Sequence, residues 1–144
     1  MSKFGSSLNG TLTKNSDLDM TIVADDSSIN VPMLIKDIKQ ALQDNESEPG
    51  RYEFSEKEYG NALLFKDLKE DLEVDFCVNR VANIMNSDLI LQYSKMDLRF
   101  KKLMYFFKDW MKVKANNPTK KLNSFSIYNM LIAYMQHNKM MPNL

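Results

Sequence analysis

The chain has 144 residues and a formal net charge of zero; 44% of its residues are hydrophobic, 10% are aromatic, and it holds one cysteine and one histidine. This length and composition are enough for one ordinary domain with a real core, and they exclude disordered and collagen-like proteins. One cysteine excludes an internal disulfide framework, and one cysteine with one histidine cannot build the usual zinc site, so any metal would be held mainly by oxygen.

The first half of the chain predicts strands and one helix. The predicted elements are a strand at residues 18–23, a helix from Pro32 to about Gln43, and strands at residues 61–65 and 72–78. The first strand, "LDMTIV", ends in β-branched residues and contains no breaker. Ser27, Ser28 or Asn30 would cap the helix, and Pro32 suits its first turn.

The second half predicts three helices, at residues 86–95, at residues 97–115, and from Asn123 or Ser124 to about His137. Asn86 or Ser87 would cap the first helix. In the long helix, apolar residues that include Phe100, Phe107 and Trp110 follow helical spacing and are expected in the core. The change of class near residue 80 predicts an α+β fold with two parts, residues 1–80 and 81–144.

The charges of the two halves are opposite. Residues 1–79 hold 8 Lys and Arg against 16 Asp and Glu, whereas residues 80–144 hold 11 against 3. An acidic half that faces a basic half would form a cleft with a metal on one wall and a polyanion on the other. Two solvated surfaces of unlike sign would give the same counts, so the counts leave both interpretations open.

Three aspartates are candidate metal ligands. On a strand, Asp17 and Asp19 point to one face while Leu18 and Met20 point to the core. Asp75 occupies the matching face of "LEVDFCV" and would join them if the two strands pair. Three convergent carboxylates raise one another's pKa values, and a hard divalent cation such as Mg²⁺ or Mn²⁺ removes that penalty. An edge strand with solvated aspartates is the alternative, and Asp75 argues against it.

Two other elements suggest a phosphorylated ligand. Gly5 and Ser6 form a turn at which the backbone could approach a phosphate closely. Lys108 and Lys112 are four residues apart and therefore share one face of the long helix. A Gly-Ser pair alone is a weak signal and a lysine face is usually just solvated, but the nearby acidic cluster favours a nucleoside triphosphate.

Four segments in order carry a resemblance to a known family: the Gly-Ser and Asp-x-Asp elements, "LQYSKMDLRFKKLMYFFKDWMK", "LNSFSIYNMLIAYMQ" and "MPNL". The second is similar to a Tyr-x-x-x-Asp-x-Arg segment followed by Lys-x-Trp, the third to a Leu-Ser-Ser-Tyr helix, and the fourth to Pro-Asn-Leu. Together they resemble the DNA polymerase β-like nucleotidyltransferase superfamily. Within it, they resemble the template-independent RNA terminal nucleotidyltransferases, the poly(U) polymerases and cytoplasmic poly(A) polymerases. The resemblance covers essentially the whole chain.

The resemblance implies a role for each candidate residue. Asp17 and Asp19 would bind two metal ions, Mg²⁺ or Mn²⁺, and Asp75 would bind the ion that activates the 3′-hydroxyl of an RNA. The other residues would bind a nucleoside triphosphate, UTP or ATP: Gly5, Ser6, Lys108, Lys112 and Ser124 at the phosphates, Asn86 and Ser87 at the ribose, and Phe125 at the base. The implied fold is a small mixed-sheet, palm-like nucleotidyltransferase domain followed by part of a helical central domain.

The sequence also departs from the family. Phe125 stands where the family has a tyrosine, and Arg80 replaces an asparagine. The family's leading helix and its carboxyl-terminal base-recognition segment have no counterpart, so we expect a fragment that self-associates and has little tailing activity alone. An inactive interaction module and a small-molecule nucleotidyltransferase of the same superfamily are the alternatives.

Two further features bear on location. No apolar run approaches the length of a membrane span, and the amino end lacks the apolar centre of a signal peptide. We therefore expect an intracellular protein with no membrane partner, in the cytoplasm, with the nucleus as an alternative.

Overall fold

The structure is a computed structural model that describes residues 1–13, 16–24, 28–45, 47–55, 61–114 and 122–144, apart from the side chains of Lys112 and Lys114. Its strands are β1 Ser2–Lys3, β2 Leu18–Ile22, β3 Tyr52–Phe54, β4 Ala62–Asp67 and β5 Leu72–Val78. Its helices are α1 Ser6–Asn9, α2 Val31–Asp44, α3 Val81–Met96, α4 Leu98–Lys114 and α5 Ser124–His137. The predicted α+β class is confirmed.

The five strands form one mixed sheet in the order β1-β2-β5-β4-β3. Strands β2 and β5 run parallel, and the other neighbouring pairs are antiparallel. Met20 of β2 and Phe76 of β5 are register partners that pack on the apolar side of the sheet. Because side chains alternate along a strand, Asp19 and Asp75 lie on the opposite side. The predicted pairing of the two aspartate-bearing strands is therefore confirmed.

Among the residues that the structure describes, two hydrophobic clusters make up the core. One lies between the sheet and α2 and is built around Ile35, Leu63, Val74, Phe76 and Val78. The other lies among α3, α4 and α5 and includes Ile90, Phe100 and Met104, none of which is exposed to solvent. Strand β5 ends and α3 begins on either side of residue 80. The division into domains at 1–80 and 81–144 stays a prediction.

Helix α3 begins at Val81, five residues before the predicted start. Arg80 occupies the N-cap position and its side chain makes no capping hydrogen bond. Asn86 and Ser87, which were predicted as caps, lie inside the helix. The chain before the helix is anchored instead, because the Asn79 side chain accepts a hydrogen bond from the Ala24 amide at 2.8 Å. The predicted cap was wrong because this start is set by a contact with the segment after β2, which local cap preference does not encode.

Smaller differences concern short elements and one aromatic residue. Strands β1 and β3 and helix α1 are two to four residues long, too short to show a periodic pattern in the sequence. Asn30 caps α2, whereas Ser27 and the predicted end of the long helix at Ala115 lie outside the described residues. Trp110, expected in the core, is 48% exposed. Within the described ranges, no helix combines the length and the apolar character needed to cross a membrane.

Candidate active site

A cleft of about 670 Å³ lies between the aspartate-bearing strand β2 and the helices α3, α4 and α5. Nine of the eleven predicted site residues line it: Gly5, Ser6, Asp17, Asp19, Asn86, Ser87, Lys108, Ser124 and Phe125. Asp75 is not among the lining residues but is the register partner of Asp19. The side chain of Lys112 lies outside the described part of the chain.

The three aspartates share one electrostatic environment. Asp19 and Asp75 are neighbours across the parallel strand pair, and Asp17 directly precedes β2. Burial, and then the charges of Asp75 and Asp17, raise the pKa of Asp19 to about 6. Burial, and then the charges of Asp17 and Glu73, raise the pKa of Asp75. The ionised forms of Asp19 and Asp75 are thus disfavoured in the protein alone.

The donor chemistry of the aspartates fits a hard divalent cation. Among the described residues, no three Asp, Glu, His or Cys side chains are arranged so that they would enclose an ion by themselves. Mg²⁺ seldom needs such a cage, since it is usually bound by one or two carboxylates with substrate phosphates and waters as further ligands. Burial, and then the charges of Asp75 and Asp17, raise the pKa of Asp19, and a bound cation would offset this penalty on the ionised carboxylate. Asp19 and Asp75, with Asp17 beside them, therefore fit Mg²⁺ or Mn²⁺.

The glycine turn is built against Asp19. Gly5 has φ 60° and ψ −143°, a backbone conformation that residues other than glycine rarely adopt. A Cβ atom at this position would lie 2.0 Å from Oδ2 of Asp19. The Ser6 backbone lies beside the Asp19 carboxylate and lowers the pKa of that group. Glycine is required here by its backbone angles and by the closeness of the carboxylate.

Helix α3 brings Ser87 against the same turn. Its Oγ accepts a hydrogen bond from the Gly5 amide at 2.8 Å and donates one to the Asn83 carbonyl at 2.7 Å. Ser87 is buried, whereas the neighbouring Asn86 lies half-buried on the cleft wall. The structure thus gives Ser87 a contact that was not predicted from the sequence, one that joins the helical half to the glycine turn.

Lys108 faces the acidic residues from α4. Its Nζ donates hydrogen bonds to the Thr11 carbonyl and to Oγ of Ser16, both at 2.9 Å. Its charge lowers the pKa of Asp19, opposing the larger effects of burial and of the other aspartates. A basic side chain of the second half therefore lies beside the segment that carries Asp17 and Asp19. The oppositely charged halves meet at this cleft.

Helix α5 contributes the last wall. Asn123 caps it by accepting a hydrogen bond from the Ser126 amide at 2.7 Å, so that Ser124 is the first helical residue. Phe125 lines the cleft and packs against the helical core. Its ring is therefore held at the wall by apolar contacts.

A buried tyrosine in this wall was not predicted from the sequence. Tyr128 is 2% exposed and lines the cleft; burial raises the pKa of its hydroxyl, and the side chains of Thr11 and Ser124 oppose this shift. Its spacing of four residues from Ser124 places both on one face of α5. That spacing was the signal in the sequence that could have placed Tyr128 at the cleft. It was not used because the aromatic residues of an apolar helix usually lie in the core.

Comparisons with known proteins agree with this architecture. Residues 1–95 match the family described as "Poly(A) RNA polymerase, mitochondrial-like, central palm domain". Over 52% of its length the chain is 34% identical to Poly(A) RNA polymerase gld-2 homolog B of Drosophila melanogaster. Over 97% of its length it is 28% identical to Poly(A) RNA polymerase gld-2 of Caenorhabditis elegans. The aligned parts span 6% and 13% of those two proteins.

Solved structures show the same likeness. The Cid1 poly(U) polymerase superposes with a TM-score of 0.77 at 25% identity, over 93% of this chain and 42% of that one. GLD-2, in its complex with RNP-8, gives a TM-score of 0.80 at 26% identity, over 99% of this chain and 50% of that one. Terminal uridylyl transferase 4 from Trypanosoma brucei superposes with a TM-score of 0.81 at 16% identity, over 99% of this chain and 48% of that one. At this low identity the likeness shows the fold alone. The predicted resemblance is confirmed.

Proposed function

The chain belongs to the mitochondrial-like poly(A) RNA polymerase family by its central palm domain, and we propose that it carries the catalytic centre for adding a nucleotide to the 3′-hydroxyl of an RNA. The nucleoside triphosphate is the donor, and no template is needed. Relatives are named as poly(A) and poly(U) polymerases, which supports AMP or UMP as the nucleotide. The observation that carries the proposal is the position of Asp19, which interacts with Asp75 across the strand pair and with Lys108 from the helical half.

The aspartates are the proposed metal ligands. Asp17, Asp19 and Asp75 would hold two divalent cations, Mg²⁺ or Mn²⁺, which when bound would activate the attacking hydroxyl and stabilise the leaving pyrophosphate. The protein limits the penalty on the ionised carboxylate at Asp19 without removing it. The Ser6 backbone and the charge of Lys108 lower the pKa of Asp19 and so oppose in part the larger effects of burial and of the other two aspartates.

The triphosphate would lie between the glycine turn and α4. The Ser6 hydroxyl, Lys108 and Ser124 all line the cleft and would bind its phosphates, with Lys112 one turn further along α4. The Gly5 amide already donates to Ser87. We therefore assign Gly5 the role of allowing the turn to lie against Asp19, where a larger residue would collide with the carboxylate.

The nucleoside would lie along α3 and α5. Phe125 offers an aromatic face for the base, and stacking of this kind tolerates any base. Asn86 would contact the ribose from the cleft wall. The Ser87 hydroxyl is already bonded to Gly5 and Asn83, which supports Asn86 as the ribose contact of this pair.

The test is incubation of the protein, at the full length that its gene encodes, with labelled RNA and each of the four nucleoside triphosphates in Mg²⁺ or Mn²⁺. We expect RNA extension and pyrophosphate release with ATP or UTP. Asp19→Asn should abolish both, whereas Asp88→Asn, a matched change at an exposed position of α3, should retain them. Equal activity of Asp19→Asn and the unsubstituted protein would contradict the assigned site. Absence of extension with all four nucleotides would contradict the proposed function.

A further inference from the structure

We propose that Tyr105 is a positioning residue of the cleft: its hydroxyl holds one end of the short helix α1, while Ser87 holds the other end. This helix begins with Ser6, which the proposed function assigns to the phosphates of the nucleotide. The inference deepens the proposed function and rests on it for its kinetic consequences, whereas its structural consequence can be measured without activity.

The helix α1 depends on the rest of the protein for its position. It is four residues long, and a helix of this length is not stable by itself in water. The chain enters it through Gly5 and leaves it through Gly10, whose φ angles are both positive, 60° and 82°. Within it, the amides of Leu8 and Asn9 donate hydrogen bonds to the Gly5 carbonyl at 3.2 and 3.0 Å. Contacts from other elements must therefore determine where this single turn lies.

Side chains of the helical half bind both ends of α1. At its start, the Gly5 amide donates a hydrogen bond to Ser87 Oγ at 2.8 Å. At its end, the Tyr105 hydroxyl donates a hydrogen bond to the Gly10 carbonyl, also at 2.8 Å. The body of α1 packs more extensively against α3 than against β2. Helices α3 and α4 thus hold α1 from its two ends, although α1 belongs to the first half of the sequence.

Tyr105 reaches α1 from outside the cleft. It is half-buried and is not among the residues that line the cleft. Its spacing of three residues from Lys108 places both side chains on one face of α4. Lys108 donates a hydrogen bond to the Thr11 carbonyl at 2.9 Å, next to the carbonyl that Tyr105 binds. Since Lys108 is assigned to the triphosphate, Tyr105 is the one of the two whose contact with this segment a bound nucleotide would not compete for.

Loss of the Tyr105 hydroxyl would release the end of α1 and leave the aromatic ring in place. The Gly10 carbonyl would lose its hydrogen bond to α4, and the turn before it would then be held by Ser87 at one end alone. Ser6 would in consequence be held less firmly at the cleft wall.

The test compares Tyr105→Phe with Tyr93→Phe. Tyr93 also belongs to the helical half, and its hydroxyl accepts hydrogen bonds from Gln136 Nε2 at 2.9 Å and from the Leu144 amide at 3.2 Å. Neither partner belongs to α1 or lines the cleft. Each variant therefore loses one hydrogen-bonded tyrosine hydroxyl, but only Tyr105→Phe releases α1.

The first measurement is hydrogen exchange of the Leu8 and Asn9 amides in the ligand-free protein, because local opening of α1 exposes both. We expect exchange about 3- to 10-fold faster in Tyr105→Phe, as for the loss of one hydrogen bond, and unchanged in Tyr93→Phe. Ser87→Ala releases the other end and should accelerate the same two amides. Unchanged exchange in Tyr105→Phe, or equal acceleration in Tyr93→Phe, would overturn the proposal. Acceleration in Tyr105→Phe without any in Ser87→Ala would contradict a hold at both ends.

The second measurement is kinetic. Tyr105→Phe should raise the KM for the nucleotide about 3- to 10-fold and change kcat less than about twofold, because it loosens a residue that binds the nucleotide. In a Ser6→Ala background, Tyr105→Phe should raise the KM less than it does alone, since the contact that it positions has been removed. An undiminished effect would contradict action through Ser6. If the unsubstituted protein extends no RNA, the proposed function fails, and hydrogen exchange alone decides the role of Tyr105.

Discussion

Asp19 on β2 and Asp75 on β5 are register partners on two parallel strands, although they lie far apart in the sequence. Burial and the neighbouring carboxylates raise the pKa values of both. The arrangement disfavours ionisation in the protein alone and would favour the uptake of a cation.

Asp75→Asn should abolish nucleotide transfer and leave the fold intact. Loss of a metal ligand would reduce the rate by on the order of 10³-fold or more. The matched control is Glu73→Gln, an exposed residue on the same side of the same strand. Single-turnover RNA extension and thermal melting measure the two effects. More than about a tenth of the unsubstituted activity in Asp75→Asn would contradict its role, on the same scale of rate loss.

Asp19→Asn should remove a pH dependence of stability. Because the pKa of Asp19 is raised from its ordinary 3.8 to about 6, the folded chain binds more protons than the unfolded chain between these values. The free energy of unfolding contributed by this group therefore falls as the pH rises through that window. The side chain is partly exposed, so solvent screening reduces the effect.

The measurement is urea unfolding of Asp19→Asn and of the unsubstituted chain across this pH window, in the absence of divalent cations. We expect the variant to gain in relative stability as the pH rises and to be the more stable of the two at neutral pH. Added Mn²⁺ should then stabilise the unsubstituted chain and have less effect on the variant. Parallel stability curves would show that Asp19 titrates normally.

Gly5→Ala should destabilise the protein more than Gly50→Ala does. Both glycines have positive φ, 60° and 79°, so each substitution carries backbone strain of about 1–2 kcal/mol. At Gly5 the new Cβ would also lie 2.0 Å from Asp19 Oδ2, whereas a Cβ at Gly50 would have no atom of the described residues within 4 Å apart from its chain neighbours. This overlap adds about 1–3 kcal/mol. Denaturant unfolding provides the comparison, and equal losses at the two positions would contradict the close contact.

Lys108→Met should raise the KM for the nucleotide more than it weakens RNA binding. Lys108 faces the acidic cleft wall, whereas Lys102, the matched control on the same helix, is exposed. Lys112→Met should act in the same direction because it lies one turn along α4. Steady-state kinetics and RNA gel shifts separate the two quantities. A loss of RNA affinity with an unchanged KM for the nucleotide would show that Lys108 binds RNA instead of the nucleotide.

The chain should self-associate through an exposed apolar face of α4. Phe106, Trp110 and Val113 are 61%, 48% and 74% exposed, and their spacing places them on one side of the helix. Phe106→Gln with Trp110→Gln should reduce the mean mass in light scattering, whereas Leu68→Gln, at an exposed turn, should leave it unchanged. A monomer at all concentrations would contradict this prediction. Phe100 in α4 and Ile127 and Leu131 in α5 are buried, so they take no part in this self-association.

Much of the site could be predicted because its residues carry local patterns. Alternation along β2 and β5 placed Asp19 and Asp75 opposite the apolar side chains, and the register of the strands confirms it. The start of α3 could not be predicted in this way, because Asn79 is tied to Ala24 across the fold. The exposed position of Trp110 was missed for a related reason: helical spacing shows which residues share a face, but not whether another element covers it.

The sequence by itself determined the α+β class, the aspartate-bearing strands and most of the residues that line the cleft. Periodicity and residue type are properties of neighbouring residues, and they are sufficient for the class and the strands. The places of Asn86, Ser87, Ser124 and Phe125 in the site followed only from the resemblance to a known family. The tertiary structure alone decided that Ser87 binds the Gly5 amide and that Lys108 binds the Thr11 carbonyl, because each of these hydrogen bonds joins residues from opposite halves of the chain. Their geometry depends on how the helices α3 and α4 pack against the glycine turn and the segment after it, which no local pattern records.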